Sequence, residues 1–381
     1  MITSRYFVSF GVSILFWFML FFGITWSIDP YGVYGTVSID KFNKFKPKRL
    51  DIDRLIKPYE VWRYQPQTVF IGTSRIHQSI DPSVLRETPY DPAYNASVPA
   101  NSLEMNISQL HQYILLDHHL KTVFVELFIY NFLIKPKEHG PRTILEYLRN
   151  LETLFISSDT LWDSFTTVIY NRFVNIPCYE IKPGGFFYYP PGHIATGPFG
   201  AFPAGIWEYH PQGSIGFTLL DSAFDSVQRI VALAKKNHLR LIFLVTPEHA
   251  YVDYYFNSIS AWPLVEEWLE RLSKMATVYS FSQPNGWVYE PVQDHMTYWN
   301  DPFHFSLVMG QAMQLSLAHK LAPGVPDNFM VRLTPEVVPS LIKDRKLAIQ
   351  RWAEKNPDFV AHFKDAENSY LKTHVLNWHM Q

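Results

Sequence analysis

Two short segments, about 230 residues apart, contain the residue types that acyl-ester chemistry requires. Ser74 follows an apolar run that ends at a glycine, in the sequence Val69-Phe70-Ile71-Gly72-Thr73-Ser74-Arg75. Asp301 precedes His304 by three residues in a Pro-containing loop. A serine becomes a nucleophile when a histidine takes its proton and an aspartate fixes the tautomer of that histidine. The segments therefore predict Ser74 as nucleophile, His304 as general base and Asp301 as the group that orients the base.

Each segment also has an ordinary explanation. A serine directly after a strand often caps the next helix, and Ser74 taken alone fits that role better. A DxxH sequence arises by chance in a chain with 15 histidines, and Asp294-His295 is a nearby competitor whose adjacent side chains point apart in most conformations. We favour the Asp301/His304 pair because its loop follows the fifth predicted strand and precedes the last predicted core helix.

Other chemistries find little support in the sequence. No H-E-x-x-H or comparable ligand set occurs, and His111, His118 and His119 lie on an ordinary predicted helix, so we expect no metal site. Cys178 is the single cysteine, which excludes an internal disulfide, and it lacks the turn glycine expected beside a nucleophile. The net charge of -2 gives no indication of a nucleic-acid partner, and no cofactor is expected.

The residues from Tyr6 to Ile28 are nearly all apolar and uncharged. A helix needs about 20 such residues to cross a bilayer. The run is longer than the core of roughly 7–15 residues in a secretory signal, and no A-x-A-like cleavage site follows it. We predict an uncleaved membrane anchor, with a cleaved signal peptide as the main alternative.

The charges that flank this run do not agree with export of the remaining chain. Only Arg5 precedes the run, whereas five basic residues follow it, beginning about a dozen residues later: Lys41, Lys44, Lys46, Lys48 and Arg49. Counted directly, the positive-inside rule places the main domain in the cytoplasm, although long domains translocate largely regardless of such charges. The orientation stays open on these grounds.

Apolar strands alternate with amphipathic helices through the rest of the chain, which predicts an α/β fold with a parallel sheet covered on both faces. The predicted strands are 68–73, 94–98, 121–129, 239–246 and 278–281, and the predicted helices are 102–117, 221–237, 263–275 and 306–321. Because the carboxyl ends of parallel strands share one edge, Ser74, Ala100, Asn131 and the segment Pro247-Glu248-His249 are expected at the same rim.

The sequence divides into four predicted regions. Residues 1–28 form the anchor with a short flank, and 29–64 form a connector that contains Pro, Gly and Lys. An α/β domain spans 65–322, with an insert at about 132–217 whose last part is rich in aromatic residues, Gly and Pro. Residues 323–381 are predicted to form a helical extension packed outside the sheet. An irregular segment as long as the insert is more often a functional lid than a plain linker.

The G-x-S-x-G elbow of α/β-hydrolases is absent. The segments instead resemble the sequence blocks of the SGNH/GDSL hydrolase superfamily. Gly72-Thr73-Ser74 corresponds to the GDS-like turn with its nucleophile, and the Asp301–His304 segment to the terminal D-x-x-H block. The resemblance implies a flavodoxin-like three-layer sandwich with a parallel sheet and a Ser-His-Asp mechanism.

Two middle blocks match this family more loosely. Residues 95–100 correspond to its N-x-x-x-x-G block, with Ala100 where the family usually has glycine. Residues 126–131 correspond to a block that normally ends in an asparagine, and Asn131 lies one position late. The resemblance implies an oxyanion hole formed by the backbone N–H groups of Ser74 and Ala100 and the side chain of Asn131, and these departures predict that it is incomplete.

A closer likeness, over roughly residues 65–320, is to membrane-anchored members of this superfamily that resemble alginate O-acetyltransferase-type proteins. The shared features are the amino-terminal span, Asp29-Pro30-Tyr31-Gly32, the GTSR turn, and the stretch from Trp262-Pro263 through Trp268 to Val278-Tyr279-Ser280-Phe281. The likeness implies one span in the inner membrane, a periplasmic main domain, and transfer or removal of acetyl groups on an envelope or exported polysaccharide. Other membrane-bound biosynthesis proteins are implied partners.

Substrate contacts are harder to assign. Arg75 is a candidate for holding an anionic group, with a surface or helix-dipole role as the alternative. Trp207 and Tyr209 are candidates for stacking on a sugar, together with four aromatic residues of the same insert: Phe186, Phe187, Tyr188 and Tyr189. A small hydrophobic core under a long loop would explain the same aromatic residues.

The sequence does not separate an acetyltransferase from an esterase, because they differ only in whether a sugar hydroxyl or water accepts the acyl group. A non-catalytic protein that keeps the fold and binds glycan or assembly partners is an alternative, favoured by the altered middle blocks. A lipase or thioesterase close to the bilayer is a further alternative, favoured by the anchor and the aromatic residues.

Overall fold

The computed structural model describes residues 2–134, 145, 148, 154–155, 157–189, 218–293, 296–320 and 323–365. These residues form two compact units, each described by itself below. The sheet unit comprises residues 65–134, 183–186 and the described part of 218–365. The amino-terminal unit comprises residues 2–64, 187–189 and the described part of 145–182.

Eight strands lie in the described residues. They are β1 (Thr68–Ile71), β2 (Ala93–Asn95), β3 (Thr122–Glu126), β4 (Glu180–Ile181), β5 (Phe187–Tyr188), β6 (Arg240–Val245), β7 (Val278–Ser280) and β8 (Val331–Arg332). The sheet unit has a six-stranded sheet in the order β2-β1-β3-β6-β7-β8, in which only β8 is antiparallel. The predicted α/β class with a largely parallel sheet is confirmed.

The helices follow the same alternation. They are α1 (Ile2–Ile28), α2 (Asp53–Tyr64), α3 (Ser74–Ser79), α4 (Leu103–Leu116), α5 (Tyr130–Leu133), α6 (Ser158–Phe173), α7 (Asp221–Lys236), α8 (Ala250–Ser258), α9 (Trp262–Ser273), α10 (Leu307–Leu317) and α11 (Val338–Lys355). Short 3-10 turns occur at Leu50–Ile52 and Pro82–Leu85.

The central strands lie in the core of the sheet unit. Every residue of β1 and β3 is buried, as their apolar and β-branched sequences predict for a parallel sheet covered on both faces. Phe70 of β1 stacks on Phe124 of β3 with ring centroids 4.7 Å apart. Beyond the assigned end of β2, Ala96 and Val98 continue to donate backbone hydrogen bonds to β1 and its turn, at 2.9 and 3.1 Å. The two strand ends are therefore held side by side.

The helix predicted from residue 102 begins as expected. The Ser102 hydroxyl accepts a hydrogen bond from the backbone N–H of Met105 at 3.2 Å, which satisfies one of the free donors at the start of α4. The helices predicted at 221–237, 263–275 and 306–321 are confirmed as α7, α9 and α10 within a few residues at each end.

Close packing joins the two segments that the sequence analysis singled out. α10, which follows the Asp301–His304 loop, packs against α3, which begins at Ser74. A Cβ atom on Gly310 would lie only 1.7 Å from the backbone oxygen of Ser79, so a larger residue cannot occupy this position without moving a helix. Glycine at 310 thus fixes how closely the two halves of the site approach each other.

The carboxyl-terminal region differs from its prediction as a helical extension outside the sheet. α11 is helical, but β8 adds a sixth strand to the sheet by pairing with β7. A strand of two residues gives no periodicity that a sequence could reveal. The Arg345 side chain of α11 is buried and its Nε donates to Asp253 at 3.3 Å, so this helix belongs to the core of the sheet unit.

The amino-terminal unit contains α1, α2, α6 and a β4-β5 hairpin. Residues 29–64, predicted as a connector, are instead packed structure. The Asp29 carboxylate accepts backbone N–H groups of three following residues at 3.0–3.3 Å, and the Arg49 guanidinium pairs with Glu60 at 2.7 Å in the interior. Buried charges such as these remove the apolar periodicity from which packing is predicted.

α1 contains the apolar run that the sequence predicts as an anchor. The stretch Tyr6–Ile28 is long and apolar enough to cross a membrane, and its most apolar part is not buried within the protein. The predicted insert at 132–217 is divided between the two units, and its residues 190–217 lie outside the described residues.

Candidate active site

Ser74 lies where the sequence predicts, at the turn between a central strand and a helix. β1 ends at Ile71, the Thr73 hydroxyl caps α3 by accepting the N–H of Arg75 at 3.3 Å, and Ser74 is the first residue of that helix. Thr73, and not Ser74, is therefore the capping residue. The Ser74 hydroxyl is left for another partner.

That partner is the predicted histidine. Ser74 Oγ lies 2.8 Å from His304 Nε2, and His304 Nδ1 lies 2.6 Å from Asp301 Oδ2. A carboxylate oxygen only accepts, so Nδ1 is the nitrogen that carries the ring proton and Nε2 accepts from the serine hydroxyl. The side chains of His304 and Asp301 are 19% and 31% exposed, so solutes can reach this group of three.

The Asp301 loop is organised by its own carboxylate. Oδ1 accepts the backbone N–H groups of Phe303 and His304 at 2.9 and 2.8 Å, while Oδ2 is left for the imidazole. Burial opposes the charged form of Asp301, but hydrogen bonds from the His304 ring and these two N–H groups outweigh it, and the pKa of Asp301 lies below its ordinary value. The Asp301 carboxylate therefore stays ionised to a lower pH than an ordinary aspartate, and in this form it accepts the hydrogen bond from the imidazole.

A buried carboxylate under the serine turn was not identified from the sequence. Glu126, at the end of β3, accepts the Thr73 N–H at 2.7 Å and the Thr73 hydroxyl at 2.8 Å through one oxygen. Its other oxygen accepts the Thr246 hydroxyl of the neighbouring strand end at 3.0 Å. The signal available in the sequence was a single charge closing an otherwise apolar strand.

Glu126 also explains the glycine before the turn. A Cβ atom on Gly72 would lie 2.8 Å from Glu126 Oε2 and 2.9 Å from Ile76 Cγ1, closer than side chains approach each other. Glycine at 72 lets the chain pass over the carboxylate and turn into α3. The G-T-S sequence is thus matched to the residue beneath it.

The structure places Arg75 differently from the prediction that it holds an anionic substrate group. Its side chain is 2% exposed, its Nε donates to the Phe303 backbone oxygen at 2.8 Å, and its terminal nitrogen donates to the Pro247 backbone oxygen. The guanidinium also lies over the Phe128 ring, 4.4 Å from its centroid. Arg75 therefore joins the serine helix to the histidine loop, and this correction follows from its burial.

The two predicted oxyanion positions lie on neighbouring segments. Ala100 is exposed, has φ +53°, and comes two residues after Val98, whose N–H binds the Gly72 oxygen at 3.1 Å. Asn131, in α5, donates from its side-chain amide to the Asn101 backbone oxygen at 3.4 Å. The segments 95–100 and 126–131 therefore lie close together next to the serine turn. The Asn131 side-chain amide contacts the backbone of the residue after Ala100.

His249, which follows the fourth strand of the sheet, is a structural residue. Its Nδ1 accepts the Tyr251 N–H at 3.1 Å at the start of α8, and its Nε2 lies 2.8 Å from the Glu290 backbone oxygen. Burial lowers the pKa of His249 to about 4, so the ring stays neutral at physiological pH. The competing pair Asp294-His295 lies outside the described residues.

The predicted sugar-stacking residues Trp207 and Tyr209 also lie outside the described residues. Of the four other aromatic residues named for the insert, Phe186 and Phe187 are buried, Tyr188 is half-buried and Tyr189 is exposed. Across the described parts of the chain, no three His, Cys, Asp or Glu side chains are grouped as metal ligands would be.

Comparison with known proteins adds a weak structural likeness. No protein-family model matches the chain. No curated protein matches it either. A solved structure from Streptococcus pneumoniae, named provisionally as a platelet activating factor, is similar over 70% of this chain and 92% of its own, with 11% sequence identity and a TM-score of 0.34. A likeness of that size carries no functional argument.

Proposed function

We propose that this chain is an SGNH-type serine enzyme that transfers or removes acetyl groups on a cell-envelope or exported polysaccharide. The observation that carries the proposal is the relay from Ser74 Oγ to His304 Nε2 and from His304 Nδ1 to Asp301, at 2.8 and 2.6 Å. Nucleophile, base and orienting carboxylate lie in the order that acyl transfer needs. Thr73 caps the helix, which removes the ordinary explanation for the serine.

The strand order supports the finer fold assignment. Numbered along the chain, the five parallel strands run 2-1-3-4-5, the flavodoxin-like order, with the change of direction between β1 and β3. Sites in such sheets lie at the carboxyl ends of the strands flanking this point. Ser74 follows β1 and Asn131 follows β3, so both proposed site segments fall at the favoured place.

In the proposed mechanism, Ser74 attacks the acyl carbonyl while its proton passes to His304 Nε2, and Asp301 stabilises the resulting imidazolium. Backbone N–H groups of Ser74 and Ala100 face the oxyanion, with the Asn131 amide as a third donor. His304 then returns the proton to the leaving oxygen. A sugar hydroxyl or water, deprotonated by His304, attacks the acyl-enzyme and regenerates the serine.

One observation favours a second candidate. One of the two N–H groups of the Asn131 amide donates to the Asn101 backbone oxygen at 3.4 Å, which leaves only the other for an oxyanion. A chain with the relay but a weak oxyanion hole would suit a non-catalytic glycan-binding or assembly protein. The apolar helix α1 also fits the lipase or thioesterase alternative.

The test is acyl-chain selectivity of the full-length protein in detergent, on p-nitrophenyl esters from acetyl to dodecanoyl. We expect hydrolysis that declines steeply with chain length, and an acetyl adduct on the peptide containing Ser74 by mass spectrometry. Ser74→Ala should remove both signals, whereas Ser83→Ala, an exposed serine nearby, should change neither. Preference for long chains would replace the proposal with a lipase, and absence of both turnover and adduct would favour the binding protein.

We further propose that α1 anchors the chain in the inner membrane with residues 29–381 on the periplasmic side, where envelope polysaccharides and other biosynthesis proteins would be met. Alkaline phosphatase fused after residue 381 should be active in whole cells, and green fluorescent protein at the same point should be dark. The reverse pair of results would place the domain in the cytoplasm, as the flanking lysines alone would predict.

A further inference from the structure

α6 in the amino-terminal unit has the reverse of ordinary helix polarity. Its buried face, at helical spacing, consists of polar residues: Thr160, Ser164, Thr167 and Asn171. Its outward face, also at helical spacing, consists of large apolar residues with high exposed fractions: Trp162 (68%), Phe165 (49%), Ile169 (58%) and Phe173 (79%). We call these four the outward face of α6.

A helix on a water-facing surface shows the opposite arrangement, because apolar side chains leave water by packing inward. Helices in lipid have small and hydroxylated residues against their protein neighbours and large apolar residues against the acyl chains. The residue types on the two sides of α6 follow this second pattern throughout its length.

The buried polar side is fixed by specific hydrogen bonds, so the rotation of α6 about its axis is set. The Asn171 amide accepts the Phe45 N–H at 2.7 Å and donates to the Phe45 oxygen at 2.8 Å. The Tyr31 hydroxyl donates to the Asp163 carboxylate at 2.8 Å. Turning the apolar residues inward would break these contacts.

The helix α6 packs against a second helix that also exposes large apolar residues. α6 packs against α1, the candidate membrane span, and it is hydrogen-bonded to Tyr31 and Phe45, which follow that span in sequence. Near its carboxyl-terminal end, α1 exposes large apolar residues of its own, Phe22 at 39% and Trp26 at 50%. A bilayer that receives α1 would therefore also meet α6.

We propose that the outward face of α6 lies in the same lipid bilayer as α1, as a second and non-spanning membrane contact. Sixteen residues give a helix of about 24 Å, shorter than the ~30 Å hydrocarbon core. Asp159 and Arg172 are exposed near its two ends and favour a position at the interface over a deep one. The proposal rests on insertion of α1, which the test below examines separately.

The experiment uses the full-length protein in phospholipid nanodiscs with Cys178, which is exposed, replaced by serine. Nitroxide labels are attached to single cysteines at Phe165 or Ile169 on α6, at Phe16 on α1, and at Asp51, an exposed residue of the same unit. Collision rates with oxygen, which concentrates in lipid, and with a water-soluble nickel chelate are measured by electron paramagnetic resonance. We expect oxygen to exceed the chelate at all three apolar positions and the chelate to exceed oxygen at Asp51.

Other patterns would overturn the inference in distinguishable ways. A lipid signal at Phe16 with a water signal at Phe165 and Ile169 would mean that α6 faces solvent. Labels at these two positions that neither reagent reaches would mean that a protein, including a second copy of this chain, covers the face. A water signal at Phe16 would instead refute the membrane anchor. The proposed periplasmic orientation and the proposed lipid contact of α6 both depend on this anchor.

Discussion

Replacing Ser74 with alanine in the full-length protein is expected to lower turnover of an acetyl ester by about 10³-fold or more, as is replacing His304 with alanine. Ser74 Oγ and His304 Nε2 are 2.8 Å apart and act as one unit, so the double variant should be no slower than either single variant. Matched controls are Ser83→Ala and His111→Ala, since both residues are exposed. Initial rates on p-nitrophenyl acetate give the comparison.

Asp301→Asn separates orientation of the base from folding of its loop. Asparagine Oδ1 can still accept the N–H groups of Phe303 and His304, so the loop keeps its hydrogen bonds. Its Nδ2, in place of the oxygen 2.6 Å from His304 Nδ1, donates and so forces the ring proton onto Nε2. The serine then faces a donor, and kcat should fall by about 10⁴-fold with unchanged circular dichroism.

Three results would contradict this assignment of roles. Full activity of Asp301→Asn would mean that the carboxylate does not orient the base. Equal losses in Ser83→Ala would point to damaged folding, and a double variant much slower than each single variant would mean that Ser74 and His304 act independently.

The two end motifs could be predicted because each encodes its geometry locally. Gly72, Thr73 and Ser74 occupy consecutive positions of one turn, and Asp301 reaches His304 and its backbone within three residues. Their encounter across the sheet followed from the rule that the carboxyl ends of parallel strands share an edge. Short-range geometry together with one topological rule was sufficient.

The remaining parts depend on contacts between distant residues. Arg75 was predicted to hold an anionic group, or alternatively to lie at the surface or act on the helix dipole. Its partners, the backbone oxygens of Pro247 and Phe303, have no signature in sequence. The inverted polarity of α6 could not be predicted, because the sequence alone does not show which side of the helix packs against its neighbours. Residues 29–64 were predicted to form a connector because they pack through buried ion pairs, such as Arg49 with Glu60, which leave no apolar periodicity.

Replacing Glu126 with alanine is expected to produce the largest loss of stability among the positions near the site. The substitution removes the acceptor of three donors, the Thr73 N–H and the hydroxyls of Thr73 and Thr246, in a fully buried place. It also leaves the Arg75 guanidinium without the carboxylate 3.8 Å away. Breaking a buried pair of this kind costs about 3–5 kcal/mol. The thermal midpoint should therefore fall on the order of 10 °C.

Glu126→Gln provides the matched comparison. The amide oxygen can keep the two bonds from Thr73, but Nε2, which only donates, then replaces the oxygen that accepts the Thr246 hydroxyl. We expect an intermediate thermal midpoint. Glu354→Ala, at an exposed position of α11, should leave the midpoint unchanged.

Loss of Glu126 should also lower the catalytic rate. Glu126 contacts Thr73 and Arg75, the residues directly before and after the nucleophile. A shift of about 1 Å in a reacting group can cost ~10²-fold in rate. Measured well below the lowered thermal midpoint, Glu126→Gln should therefore show a reduced kcat with little change in KM, since the acyl substrate does not touch this buried carboxylate. A lower midpoint with an unchanged kcat would mean that Glu126 supports the fold alone, and that the hydrogen bond between Ser74 and His304 keeps its alignment without the buried carboxylate below it.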